Sequence, residues 1–166
     1  PRGRSPRSEP SLRVKPAPPR SDPAIHAARV TVDRHLDLTL RIEVDRRCSA
    51  GDHAGAMARL DALLAASPDH VEAQLLRGQV LLAQGELTKA ADGFRRALYY
   101  APSHCIGRYW HLLTLRRLGE DARVEKLHRE LDRALAALPP DTTLEDGETT
   151  ARDLRETLHH AAPRAT

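Results

Sequence analysis

The side chains in this chain with the most reactive chemistry are two cysteines, Cys48 and Cys105, and nine histidines. His104, Cys105 and His111 come nearest to a metal-ligand pattern. A tetrahedral zinc site needs four donors at short spacings. His104 and His111 lie two helical turns apart, and no carboxylate or second thiol joins them at ligand spacing. These three fit surface and helix-end positions, and His159-His160 reads as a solvent-exposed pair. No serine–histidine–acid or cysteine–histidine grouping is spaced for an activated nucleophile. No glycine-rich loop follows a strand pattern to hold a phosphate or nucleotide. Arg95-Arg96, Arg116-Arg117 and Arg152 suit solvated helix faces and helix ends. The residue types point to recognition, with no catalytic group, metal or cofactor expected in the chain itself.

Charge and composition narrow the partner. The 166 residues carry a formal charge of +3, but residues 1–20 hold six cations against one acid, so the remainder is net acidic. Aromatic residues are 3% of the chain, too few to offer stacking platforms for bases. Nucleic acid is therefore disfavoured, and a protein partner is expected. No apolar run approaches the ~18 residues of a membrane span, and no signal-peptide pattern opens the chain. Two cysteines in a helical pattern fit reduced thiols in the cytoplasm. The start at Pro1 rather than Met fits a segment of a longer protein.

The elements that must position any binding residue are set by a period of 34. Gly51, Gly85 and Gly119 are in register, each followed by an acid (Asp52, Glu86, Glu120), and Pro68 with Pro102 and Ala56 with Ala90 share the spacing. Such a period signals stacked helix pairs. Val71–His104 is the fullest copy. Its first helix runs through Leu75, Gly78, Leu81 and Leu82, with Gly78 admitting a close neighbour. Gly85 turns the chain, and Ala90, Phe94, Ala97 and Leu98 face inward along the second helix.

The flanks follow from this unit. Residues 1–22 hold six prolines before Arg20 and almost nothing apolar, and read as a basic linker. Asp22-Pro23 is a helix start. Val30 to Val44 nearly alternates between apolar and polar, a strand pattern. It is assigned to helix because no second strand candidate exists to pair with it and Leu36, Leu40 and Val44 also keep i, i+4 spacing. Helix pairs are expected at about 23–70, 71–104 and 105–138. In the third, Val124, Leu127, Leu131 and Leu135 form an apolar stripe. After Pro139-Pro140 an acidic loop leads to a last helix, capped by Thr150 with Asp153 and showing Leu154 and Leu158 on one face. That helix is expected to cover the open end of the stack, so that residues 139–166 form loop and cap. The fold class is all-α.

Gly78, Gly85, Ala90, Phe94, Ala97 and Pro102 resemble the tetratricopeptide repeat. Gln74 replaces its usual first-helix Trp, and Val124 and His128 stand in the small and aromatic columns of the third copy. The resemblance implies a superhelix of about three repeats whose partner-binding groove is lined by the first helices. It places Glu72, Leu75, Gln79, Leu82 and Ala83, then Ile106, Tyr109, Leu113, Arg116 and Arg117, in that groove. An apolar helix face with an acidic flank would fit there. Equally open is a groove filled from within by a terminal helix; homo-oligomerisation is also open. The cation and Asn that grip a C-terminal carboxylate in chaperone-binding members are absent, since Leu75 and Gln79 hold those columns.

A narrower resemblance covers about Phe94 to Leu158. FRRALYYAPSH, RYWHLLTLRRLGE, ALAALPPD and LEDGETTARDLRE look like the tail of a CheR-type chemoreceptor glutamate methyltransferase of Frz-like or Wsp-like chemosensory systems. This implies a regulatory or targeting arm whose partner is the chemoreceptor or the parent catalytic domain. S-adenosylmethionine would be bound only in that domain, which is not in these residues. A general scaffold of an unrelated bacterial complex is the alternative.

Overall fold

The computed structural model describes the backbone of residues 23–160 and the side chains of residues 35–160. The expected linker, residues 1–22, and residues 161–166 lie outside that range. Seven helices are described: α1 (Pro23–Ser49), α2 (His53–Ala66), α3 (Val71–Ala83), α4 (Leu87–Tyr100), α5 (Cys105–Leu118), α6 (Asp121–Ala136) and α7 (Ala151–His160). No named strand occurs among the described residues; an isolated bridge joins Thr143 and Thr150. The chain divides after Arg34 into two units, and the packing below concerns the second, from His35 onward.

Each helix pair closes on a glycine in the left-handed region. Gly51, Gly85 and Gly119 have φ of 78°, 78° and 73°, where a Cβ would be strained. Asp52 then caps α2, its Oδ1 accepting the Gly55 N–H at 2.9 Å. Helices α3 and α5 each start from a histidine. His70 and His104, one repeat apart, turn Nδ1 to accept the N–H of Ala73 (3.3 Å) and Gly107 (3.0 Å).

Three apolar clusters run along the stack. Leu40 and Val44 of α1 meet Ala56 and Leu60 of α2 and Ala73, Leu76 and Val80 of α3. The other side of α3 gives Leu75, Leu81 and Leu82 to a second cluster with Ala90, Phe94 and Ala97 of α4. The third joins Leu112, Leu115, Val124, Leu131 and Leu135 to Leu144, Ala151, Leu154 and Leu158. Helix α3 is thus apolar on two sides because it has packed neighbours on both. Its crossing with α4 depends on Gly78: a Cβ there would fall 2.7 Å from the Phe94 ring.

The last helix covers the end of the third pair through α6, as its stripe predicts. Its start is reciprocally capped: the Asp153 N–H donates to Thr150 Oγ1 and the Thr150 N–H to Asp153 Oδ2, both at 3.2 Å. The alternating stretch is helical, and the alternation has a physical origin. Leu40 and Val44 face the core, while Leu38 and Ile42, at 48% and 59% exposure, sit on the opposite face of α1.

Candidate functional site

The first helices of the three pairs lie side by side. Arg41 of α1 donates from Nε (3.0 Å) and Nη2 (2.7 Å) to Glu72 Oε1 of α3. Leu75 of α3 rests against α5, where a Cβ on Gly107 would lie 3.0 Å from Leu75 Cδ2. That arrangement separates the ten candidate residues into two groups.

Glu72, Leu75, Leu82 and Ile106 are buried. They pack between neighbours and offer no accessible area. Burial pushes the Glu72 carboxyl above its ordinary range, and the Arg41 charge works against that shift. Gln79, Tyr109, Leu113 and Arg116 are half-buried, and Ala83 and Arg117 are exposed. Tyr109, Leu113, Arg116 and Arg117 follow one face of α5 at helical spacing. Arg116 and Arg117, like Arg46, Arg96, Arg108 and Arg133, make no ion pair among the described residues, but of these only Arg116 and Arg117 share the Tyr109 and Leu113 face of α5. The accessible stripe is apolar at Tyr109 and Leu113 and cationic at its end.

The N-terminal part of α5 is covered from within. The chain from Pro139 to Thr150 folds back so that Glu145 Oε1 accepts the Cys105 N–H at 2.8 Å and Oε2 the Ile106 N–H at 3.3 Å. Leu144 is buried in the same cluster as Ile106. Helix N-termini carry unsatisfied N–H groups and partial positive charge, so a carboxylate is held well there. Nothing in the sequence distinguishes Glu145 within its acidic run, because a contact spanning 40 residues leaves no local spacing to read.

Cys105 and His111, expected near the surface, are buried. Cys105 shares its cluster with Leu144 of the loop, and His111 lies near Arg95 of α4 and Arg123 of α6. Burial raises the Cys105 thiol pKa, and Glu145 adds to the shift. Burial lowers the His111 pKa, with Arg123 and Arg95 adding to it. His159 and His160 are exposed; His159 Nε2 lies 3.1 Å from Asp132 Oδ1. Among the described residues no group of three or more His, Cys, Asp or Glu side chains is placed to hold a metal ion. A concavity of about 450 Å³ between α6 and α7, lined by Leu135, Leu138, Arg152 and Arg155, contains none of the candidate groove residues.

Geometry and family comparison agree on the class. Residues 44–104 match the tetratricopeptide repeat family model, which supports a tetratricopeptide repeat region over that part of the chain. The match begins in the last turns of α1 and ends at the histidine that caps α5. No curated protein matches the chain. Repeat regions of this kind present surfaces to protein partners, and no described helix is long and apolar enough to cross a membrane.

Proposed function

We propose that the chain is a non-catalytic protein-interaction module that binds its partner on the α5 stripe of Tyr109, Leu113, Arg116 and Arg117, with Gln79 and Ala83 of α3 beside it. The observation that carries this is the pair of arginines without acid partners next to half-exposed apolar side chains. Charged groups placed this way select an oppositely charged partner, and the apolar side chains supply contact area.

The module regulates or targets a chemoreceptor glutamate methyltransferase in the cytoplasm. Its partner is the receptor or the catalytic domain, which alone takes S-adenosylmethionine. Support comes from the resemblance of Phe94 to Leu158 to the tails of such enzymes, including Pro139-Pro140, the Glu145-Asp146-Gly147 loop and the Arg152–Glu156 helix. A second reading is a general adaptor of another bacterial complex, and the match of residues 44–104 to the repeat alone favours its simplicity.

The test compares the parent enzyme with and without Leu113→Glu, Arg116→Glu and Arg117→Glu. Interface anchors cost over ~1 kcal/mol each, so partner binding should weaken at least about tenfold. The rate or pattern of receptor glutamate methylation should change with it. Unchanged binding to both receptor and catalytic domain, with unchanged methylation, removes the methyltransferase reading.

A further inference from the structure

The loop before α7 is built more like a bound ligand than a connection. It is internally ordered: Leu144 N–H donates to Thr149 O at 2.8 Å, and Ala151 N–H to Thr142 O at 2.9 Å. Asp146 Oδ1 accepts from the N–H groups of Thr149 (2.9 Å) and Glu148 (3.1 Å), and Gly147 makes the turn at φ 79°. From this frame Leu144 and Glu145 meet the first-helix face, while the Asp146 carboxylate holds the loop itself. Leu144 is buried beside Ile106. Glu145 takes two α5 N–H groups at 2.8 and 3.3 Å, with His104 Nδ1 at 3.6 Å. Asp146 and His104 both lie within electrostatic reach of Arg41 on α1.

The corresponding start of α3 takes its acid from a different element. His70 caps α3 as His104 caps α5, and the carboxylate beside it comes from Asp37 of α1, whose Oδ1 lies 3.6 Å from His70 Nε2. The carboxylate at α5 is instead delivered from the loop before α7, 40 residues away along the chain.

We propose that Leu144-Glu145-Asp146 is an internal ligand that occupies the N-terminal half of the α5 face, and that the partner displaces it with an apolar residue followed by carboxylates. This rests on the reading of the first-helix face as the partner site. It adds what the partner looks like and why the face is not freely open. A tethered segment competes at a local concentration in the millimolar range. A partner must therefore either exceed that or engage the uncovered Leu113, Arg116 and Arg117 first.

The probe is a synthetic peptide of the loop's own sequence, TTLEDGETT. It is titrated by NMR into the 166-residue chain and into a variant carrying Leu144→Gly, Glu145→Ser and Asp146→Gly. The peptide should bind the variant at least about tenfold more tightly than the unaltered chain and move the Cys105 and Ile106 amide signals. Glu145→Gln alone, which keeps Leu144 in the core, should raise peptide affinity in the same direction if the triple variant does not fold. Equal affinities, absent binding to a folded variant, or binding without movement of those two amides overturns the internal ligand. Such a failure leaves the Arg116 and Arg117 charge-reversal result standing, so the two readings fail separately.

Discussion

His70 and His104 do the same job one repeat apart, each accepting a backbone N–H on Nδ1 at the start of its helix. The job makes the fold sensitive to acid at His104, which must present an unprotonated Nδ1 to the Gly107 N–H. For His104 burial lowers the pKa below the ordinary 6.5; Glu145 opposes the shift, and Arg41 adds to it. The unfolded chain then binds a proton that the folded chain resists. Stability from this group is complete above pH 6.5 and is lost as pH falls from 6.5 toward the folded value. His111 is shifted the same way by burial. Urea unfolding between about pH 7.5 and about pH 5 should show stability falling with acidity. His104→Asn keeps a side-chain acceptor at the cap, where Asn is favoured. That variant should retain stability at neutral pH and show a shallower decline, to which His111 still contributes. An unchanged slope would remove His104 from the account.

At the scale of elements, the repeat was legible because its turns and close contacts have strict local requirements. A glycine at φ near 75° and a missing Cβ at a helix crossing leave a mark in the sequence whatever surrounds them. Gly78 shows the point. An interior helix Gly costs about 1 kcal/mol relative to Ala, yet here a Cβ would collide with Phe94. Gly78→Ala should therefore destabilise by ~1–3 kcal/mol as overpacking outweighs propensity. Adding Phe94→Leu should make the Ala at 78 less damaging than it is alone, as seen in a denaturation double-mutant cycle. A stabilised Gly78→Ala would mean that α3 and α4 are not in this contact. The candidate groove was less legible. Column positions put Leu75 and Leu82 on a binding face, but α3 has neighbours on both sides and spends those side chains in packing. The alternating stretch misled for a related reason: α1 carries apolar residues at Leu38 and Ile42 opposite the core pair Leu40 and Val44. Which face of a helix stays open depends on which elements arrive beside it, and no spacing within the helix records that.

At the scale of the molecule, the question is whether the stack behaves as one body or as a row of neighbours. The three clusters are shared mainly between adjacent helices, and α7 contributes Ala151, Leu154 and Leu158 to the third alone. In a repeat array stability is close to a sum of unit and nearest-neighbour terms. Losing the cap should then loosen the third pair before the second. Leu158→Ala truncates a fully buried side chain, at a cost of ~2–5 kcal/mol. Hydrogen exchange should record this as roughly 30-fold or greater loss of protection in α5 and α6. Amides of α3 and α4 should change much less, because their cluster contains no residue of α7. A uniform loss across all helices would show a single cooperative unit. No loss in α6 would show that α7 does not cap the stack. The expected gradient also bears on function. The Cys105 and Ile106 N–H groups, held by Glu145, sit in the pair whose opening depends most on the cap. A partner that displaces the loop therefore works at the end of the stack where rearrangement costs least, while α3 and α4 keep the α5 stripe supported.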